Sequence, residues 1–189
     1  MKKSKFILSN IIFVVVIALL IIPQTRQPIQ IFLQKGLAMI SPSEISADKR
    51  ENLESYDNWK LIDSNGNQYD FKQAQGKVVF INFWATWCPP CIAEMPSIDN
   101  LYADYNDQVV FLLVSNEESN IINDFKSKNA YNFEFYQSVT NVPDQFQTSS
   151  IPQTYLIDKS GAIVMDKSGA ANWNSDSVRK LLDDLLASE

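Results

Sequence analysis

Cys88 and Cys91 are the only thiols in a chain of 189 residues that contains no histidine. Two cysteines cannot close a tetrahedral zinc site unless two further ligands join them, and no imidazole is available to do so. Ile92 stands where a haem-attachment motif requires His. Two thiols separated by two residues can instead form a disulfide with each other and exchange it with another, so redox chemistry leads the reading. The lack of His also excludes Ser-His-Asp and Cys-His nucleophile pairs and histidine acid–base catalysis.

The pair has to be positioned by its flanks. Val78–Phe83 is an almost wholly apolar run of six, as a strand buried on both faces would be. After Cys88 the residues Cys91, Met95, Ile98, Tyr102 and Tyr105 recur at spacings of four and three, which predicts one apolar helix face. Cys88 therefore falls at the helix N-cap, with Pro89 and Pro90 in the first turn, where a missing N–H costs little. Unpaired backbone N–H groups and the positive end of the helix dipole favour a thiolate there, making Cys88 the nucleophile. Cys91, one turn further in, is placed to resolve a mixed disulfide formed on Cys88. An inert structural disulfide would close only a tiny loop here and constrain the unfolded chain weakly.

Lys2, Lys3 and Lys5 precede an apolar run, Phe6–Ile22, interrupted only by Ser9 and Asn10. The run is at the short end for a membrane span, and no small-x-small cleavage site follows it directly, which favours an uncleaved signal anchor. Three lysines before it and one arginine after it predict a cytoplasmic amino terminus and an extracytoplasmic remainder. That remainder, residues 23–189, carries thirteen basic and twenty-two acidic side chains, net −9, which argues against nucleic acid as a partner. With 46% apolar and 12% aromatic residues the chain can build a core. Residues 23–55 read as a juxtamembrane connector, its stretch 44–58 a polar, solvated spacer, and 56–189 as the folded domain. Within that domain, Ser64–Asn67 and Asp158–Gly161 signal hairpins, Val109–Val114 is a second buried strand, and Val178–Leu186 is a final amphipathic helix. A helix over Ser119–Lys128 and a strand over Phe133–Tyr136 complete an α/β sheet.

Trp-Cys-Pro-Pro-Cys after Val78–Thr86 resembles the thioredoxin superfamily, and more narrowly its membrane-anchored, exported TlpA/ResA-type thiol-disulfide oxidoreductases. The resemblance covers about residues 59–189 and implies a thioredoxin-like fold: a central mixed sheet with helices on both faces, an N-terminal β-hairpin and a central insertion between Val114 and Pro152. It implies that Ile151-Pro152 forms the cis-proline loop beside the active-site disulfide, the Ile151 backbone pairing with an extended substrate segment. Cys91–Pro96 matches the family's C-x-x-E-x-P, so Glu94 is the carboxylate expected to trade protons with the inner thiol. The buried acid of thioredoxins proper sits on the preceding strand, where this chain has Asn82. Trp87, beside Cys88, and Pro89 fall on the rim that meets substrate, whereas Trp84 reads as packing.

The expected function is thus a membrane-tethered protein thiol-disulfide oxidoreductase that needs no metal or cofactor. It would reduce disulfides of substrate proteins and draw electrons from a membrane thiol reductant; cytochrome c maturation is one role within the family. Two other readings fit less well. A thiol peroxidase needs Thr-x-x-Cys, but Thr86 is two residues before Cys88. A Cu(I) metallochaperone would pair a C-x-x-x-C with a distal His that this chain lacks.

Overall fold

A computed structural model describes residues 10–15, 17, 19 and 21–188. Its centre is one seven-stranded mixed sheet. The strands are β1 (Lys60–Asp63), β2 (Gln68–Asp70), β3 (Val78–Phe83), β4 (Val109–Val114), β5 (Phe135–Ser138), β6 (Gln153–Ile157) and β7 (Ile163–Ser168). Their order is β2-β1-β5-β4-β3-β6-β7, with β3, β4 and β5 parallel and the other pairings antiparallel. The helices are α1 (Pro23–Leu37), α2 (Pro89–Tyr105), α3 (Ser119–Asn129) and α4 (Asp176–Ala187).

Alternation along the strands splits the core in two. Val78 and Phe80 of β3, with Val109, Phe111 and Leu113 of β4, point to the face covered by α2, α3 and α4. Val79, Ile81 and Phe83, with Leu112 and Val114, point to the opposite face. Two 3₁₀ turns, Phe71–Ala74 and Asp144–Phe146, cover that second face and insert Phe71 and Phe146 beside Trp59. Helical segments thus lie on both faces, but the regular α-helices pack on one. The β1–β2 hairpin turns through Gly66 at φ 87°, a conformation that an L side chain resists. Asp63 Oδ1 accepts the backbone N–H groups of Asn65 and Asn67, both at 2.8 Å.

Three expectations shift. Leu101 rather than Tyr102 completes the fully buried line of α2, Tyr102 being half-buried against Phe111 and Phe133. The inserted strand lies two residues later than its apolar residues suggest, because β5 pairs through Tyr136–Ser138 with β1. The stretch 44–58 is also more than a spacer. Four backbone hydrogen bonds tie residues 40–53 to the sheet and the loop after it: Ile45 N–H to Val164 O, Ile163 N–H to Glu51 O, Leu53 N–H to Gly161 O and Asn172 N–H to Ile40 O, at 2.8–2.9 Å. Ile45, Leu53 and Tyr56 pack on the second core face. Part of the run Phe6–Ile22 lies outside the described residues. Those of its residues that are described up to Ile21 are helical, and among the described residues no helix is long and apolar enough to cross a membrane.

The strap along β7 makes a prediction about boundaries. A fragment 56–189 should be less stable than 40–189 by at least ~2 kcal/mol, since it loses these bonds and the apolar contacts beneath them. Urea unfolding followed by tryptophan fluorescence measures the difference.

Candidate active site

Residues 84–88 carry the chain from the end of β3 into α2 without regular structure, and polar contacts fix them. Trp84 N–H donates to Val114 O at 3.0 Å, and Cys88 N–H to Ala85 O at 3.2 Å. Glu117, after β4, accepts the Thr86 N–H on Oε2 at 2.6 Å and the Thr86 hydroxyl on Oε1 at 2.7 Å. Trp84 is buried against Phe125 and Phe135, as its packing role requires, whereas Trp87 is 65% exposed.

Cys88 is the N-cap of α2, extended at φ −93° and ψ 101°, and Pro89 opens the helix. The Cys91 N–H donates to Cys88 Sγ at 3.3 Å, so one otherwise unpaired N–H of the first turn points at the outer sulfur. The two cysteines are joined in a disulfide and are both buried. The Ile151–Pro152 peptide bond is cis, and the Ile151 carbonyl oxygen lies 3.7 Å from Cys88 Sγ. Ile151 is half-buried and Pro152 buried. Trp87, Glu117, Phe146 and Ile151 line a cleft of about 490 Å³ beside this contact.

Glu94 is buried at 1% exposure on the sheet side of α2. Its Oε1 accepts from Asn82 Nδ2 at 2.9 Å; its Oε2 accepts from Trp173 Nε1 at 2.9 Å and from the Ala171 N–H at 3.1 Å. Asn82 in β3 and Thr154 in β6 are directly opposite in the antiparallel register and share the α2 face, so Asn82 Nδ2 also donates to Thr154 Oγ1 at 2.7 Å. Burial pushes the Glu94 carboxyl up to about 7, against the Trp173, Asn82 and Ala171 donors and the Lys167 charge, all of which favour the carboxylate.

The structure brings Cys88 against Cys91 and Ile151, with Pro152 buried next to Ile151 and Trp87 and Pro89 flanking Cys88 on the more open side, and it places Glu94 in the interior. Sequence reasoning singled out Asn82 as the substituted strand position but missed Trp173, Ala171 and Glu117. Trp173 lies in the loop before α4, 79 residues from Glu94, and no local motif marks it. Glu117 sits in the polar stretch Ser115–Glu118, between a predicted strand and a predicted helix, where nothing marks it.

The family pattern described as Redoxin matches residues 48–185. The chain belongs to the redoxin family. It is 34% identical over 115 residues to the thiol-disulfide oxidoreductase ResA of Halalkalibacterium halodurans, an alignment covering 59% of this chain and 65% of that one. With ResA of Bacillus subtilis it shares 34% over 110 residues, covering 57% and 62%. The matched region thus spans a little under two thirds of these relatives' length. A solved structure from Bacteroides vulgatus, assigned as a thiol-disulfide oxidoreductase, superposes with a TM-score of 0.60 at 28% identity, over 74% of this chain and 99% of that one. The sheet, the CxxC helix and the proline loop are thus set in a thioredoxin-like fold.

The raised Glu94 carboxyl has a signed consequence. A carboxyl group that titrates higher in the folded than in the unfolded state contributes stability below its unfolded value near 4.5 and loses it as pH rises through about 7. Stability should therefore fall over this window and fall less in Glu94→Gln, whose amide can be met by rotation of the Asn82 side chain. Trp173→Phe removes a donor to the carboxylate and should move the midpoint upward. Urea unfolding across pH 4–8 reports both.

Proposed function

We propose that this chain is a protein thiol-disulfide oxidoreductase, tethered by its N-terminal apolar run to the cytoplasmic membrane with its folded domain on the extracytoplasmic side. The observation that carries the reading is the Cys88–Cys91 disulfide at the α2 N-terminus, with Cys88 Sγ against the Ile151 carbonyl. The names of the ResA relatives point to the same activity. The tether rests on Phe6–Ile22 and the lysines before it.

In the reducing direction, the reduced pair meets a substrate disulfide laid along Ile151, and the Cys88 thiolate attacks one sulfur. The substrate disulfide breaks, one substrate thiolate leaves and takes a proton, and a Cys88–substrate disulfide forms. Cys91 then loses its proton and attacks Cys88 Sγ, releasing the second substrate thiol and leaving Cys88–Cys91 oxidised. Two electrons have passed to the substrate, and a membrane thiol reductant returns them. Glu94, three residues beyond Cys91 on α2 and titrating near neutrality, is suited to hold the Cys91 proton. Trp87 and Pro89 offer apolar surface to the substrate chain. Apocytochrome c, whose cysteine pair must be reduced before haem attachment, is the substrate to test first.

Cys88→Ser should abolish insulin disulfide reduction, whereas Cys91→Ser should accumulate a mixed disulfide visible on non-reducing gels. The reduction potential of the pair, equilibrated with dithiothreitol or glutathione, should lie near or below about −250 mV. A value of about −120 to −180 mV would assign the domain to oxidation or isomerisation instead.

A further inference from the structure

Helix α1 is amphipathic in an unusual sense. Gln27, Gln30 and Gln34 recur at spacings of three and four and so share one side. That side turns toward α2 and forms, with Arg26 and Leu33, one wall of a groove of about 540 Å³ whose other wall is Trp87, Pro89 and Pro90. Gln27 Nε2 donates to Thr86 O in the active-site turn at 3.3 Å. Ile29 and Ile31 are half-buried, but Phe32 points away, 75% exposed, and Met39 and Ile40 just beyond the helix are 76% and 61% exposed. A helix partnered only by its own domain and water would not leave Phe32 so open.

Two observations identify what covers this outer face. The first is continuity. Ile11–Val15, Ile17, Leu19, Ile21 and Ile22 are exposed apolar residues that lead directly into α1, and the Thr25 hydroxyl donates to Leu19 O at 2.6 Å across the join. The second is charge. Within Pro23–Leu37 the sequence has Arg26 and Lys35 and no acid, in a region, 23–189, with net charge −9. Basic and apolar residues without acids suit an anionic lipid surface.

We infer that α1 lies in the membrane interface with Phe32, Met39 and Ile40 inserted among the lipid headgroups, and that its glutamine side holds the rim around Cys88 at the bilayer surface. This inference rests on the membrane tether proposed above and adds an orientation to it. Trp87, Pro89 and Pro90 then face a narrow space between domain and bilayer. Thiols and disulfides carried by membrane-embedded or membrane-bound proteins reach Cys88 there more readily than those of freely diffusing ones.

The test uses the full chain in vesicles of phosphatidylcholine and phosphatidylglycerol, with and without brominated acyl chains. Phe32→Trp and, as a second reporter, Met39→Trp place an indole on the outer face. After subtraction of the native emission, bromolipid should quench about half of the added signal, as expected for a residue buried a few ångströms below the headgroups. Vesicles that carry the chain on flotation while neither added indole is quenched by bromolipid would overturn the orientation and leave the tether standing. Shielding from aqueous acrylamide without bromolipid quenching would assign the face to a protein partner and overturn it equally. A chain that does not float with the vesicles would overturn the tether, and the orientation with it.

Discussion

A carboxyl group with almost no access to water receives three hydrogen bonds from two separate parts of the chain. Asn82 reaches Glu94 from β3, Trp173 from the loop before α4, and the Ala171 backbone from the same loop. Removing a carboxylate from water is costly unless donors replace its hydration or a proton neutralises it. Here the site does part of each: the donors hold the group in place, and burial lifts its titration toward neutrality. The requirement also fixes the geometry around it. The α2 helix must present Glu94 inward, β3 and β6 must be in register to pair Asn82 with Thr154, and the loop at 171–173 must close over the carboxyl. Trp173 further packs edge-on against Phe80, 5.0 Å between ring centroids, so the polar contact is continuous with the hydrophobic core.

That arrangement explains which features could be read from the sequence. The Cys88 cap, the prolines after it and the buried strand before it are local, and local rules carry them. The fold followed from apolar runs and turn residues in the same way. The burial of Glu94 was not readable from spacing, because an acid three residues from Cys91 suits an exposed helix face equally well; only the family resemblance singled it out. Its partner Trp173 is distant in sequence and lies in no motif. The connection of residues 40–53 to β7 was hidden for a different reason. Backbone hydrogen bonds do not depend on side-chain type, so a polar stretch can follow a sheet edge without leaving a hydrophobic pattern. The second face of the sheet, covered by short 3₁₀ turns, shows no helical period for the same lack of length.

The junction at 84–88 relies on Glu117 in a comparable way. One side chain accepts both the backbone and hydroxyl groups of Thr86, and Gln137 Nε2 donates to the Glu117 carbonyl. The segment inserted after β4 therefore does more than widen the sheet. It supplies the acceptor that holds the turn in front of Cys88, and with Phe146 and Ile151 it shapes the cleft there.

The strap over β7 has a further consequence. An open sheet normally exposes two rows of unsatisfied backbone groups, each a template for uncontrolled pairing with another chain. On one side the outermost strand, β2, is only three residues long and ends in Asp70. On the other side residues 45–53 already occupy backbone positions along β7. With one border short and the other already occupied, edge-to-edge pairing between copies of the chain is discouraged.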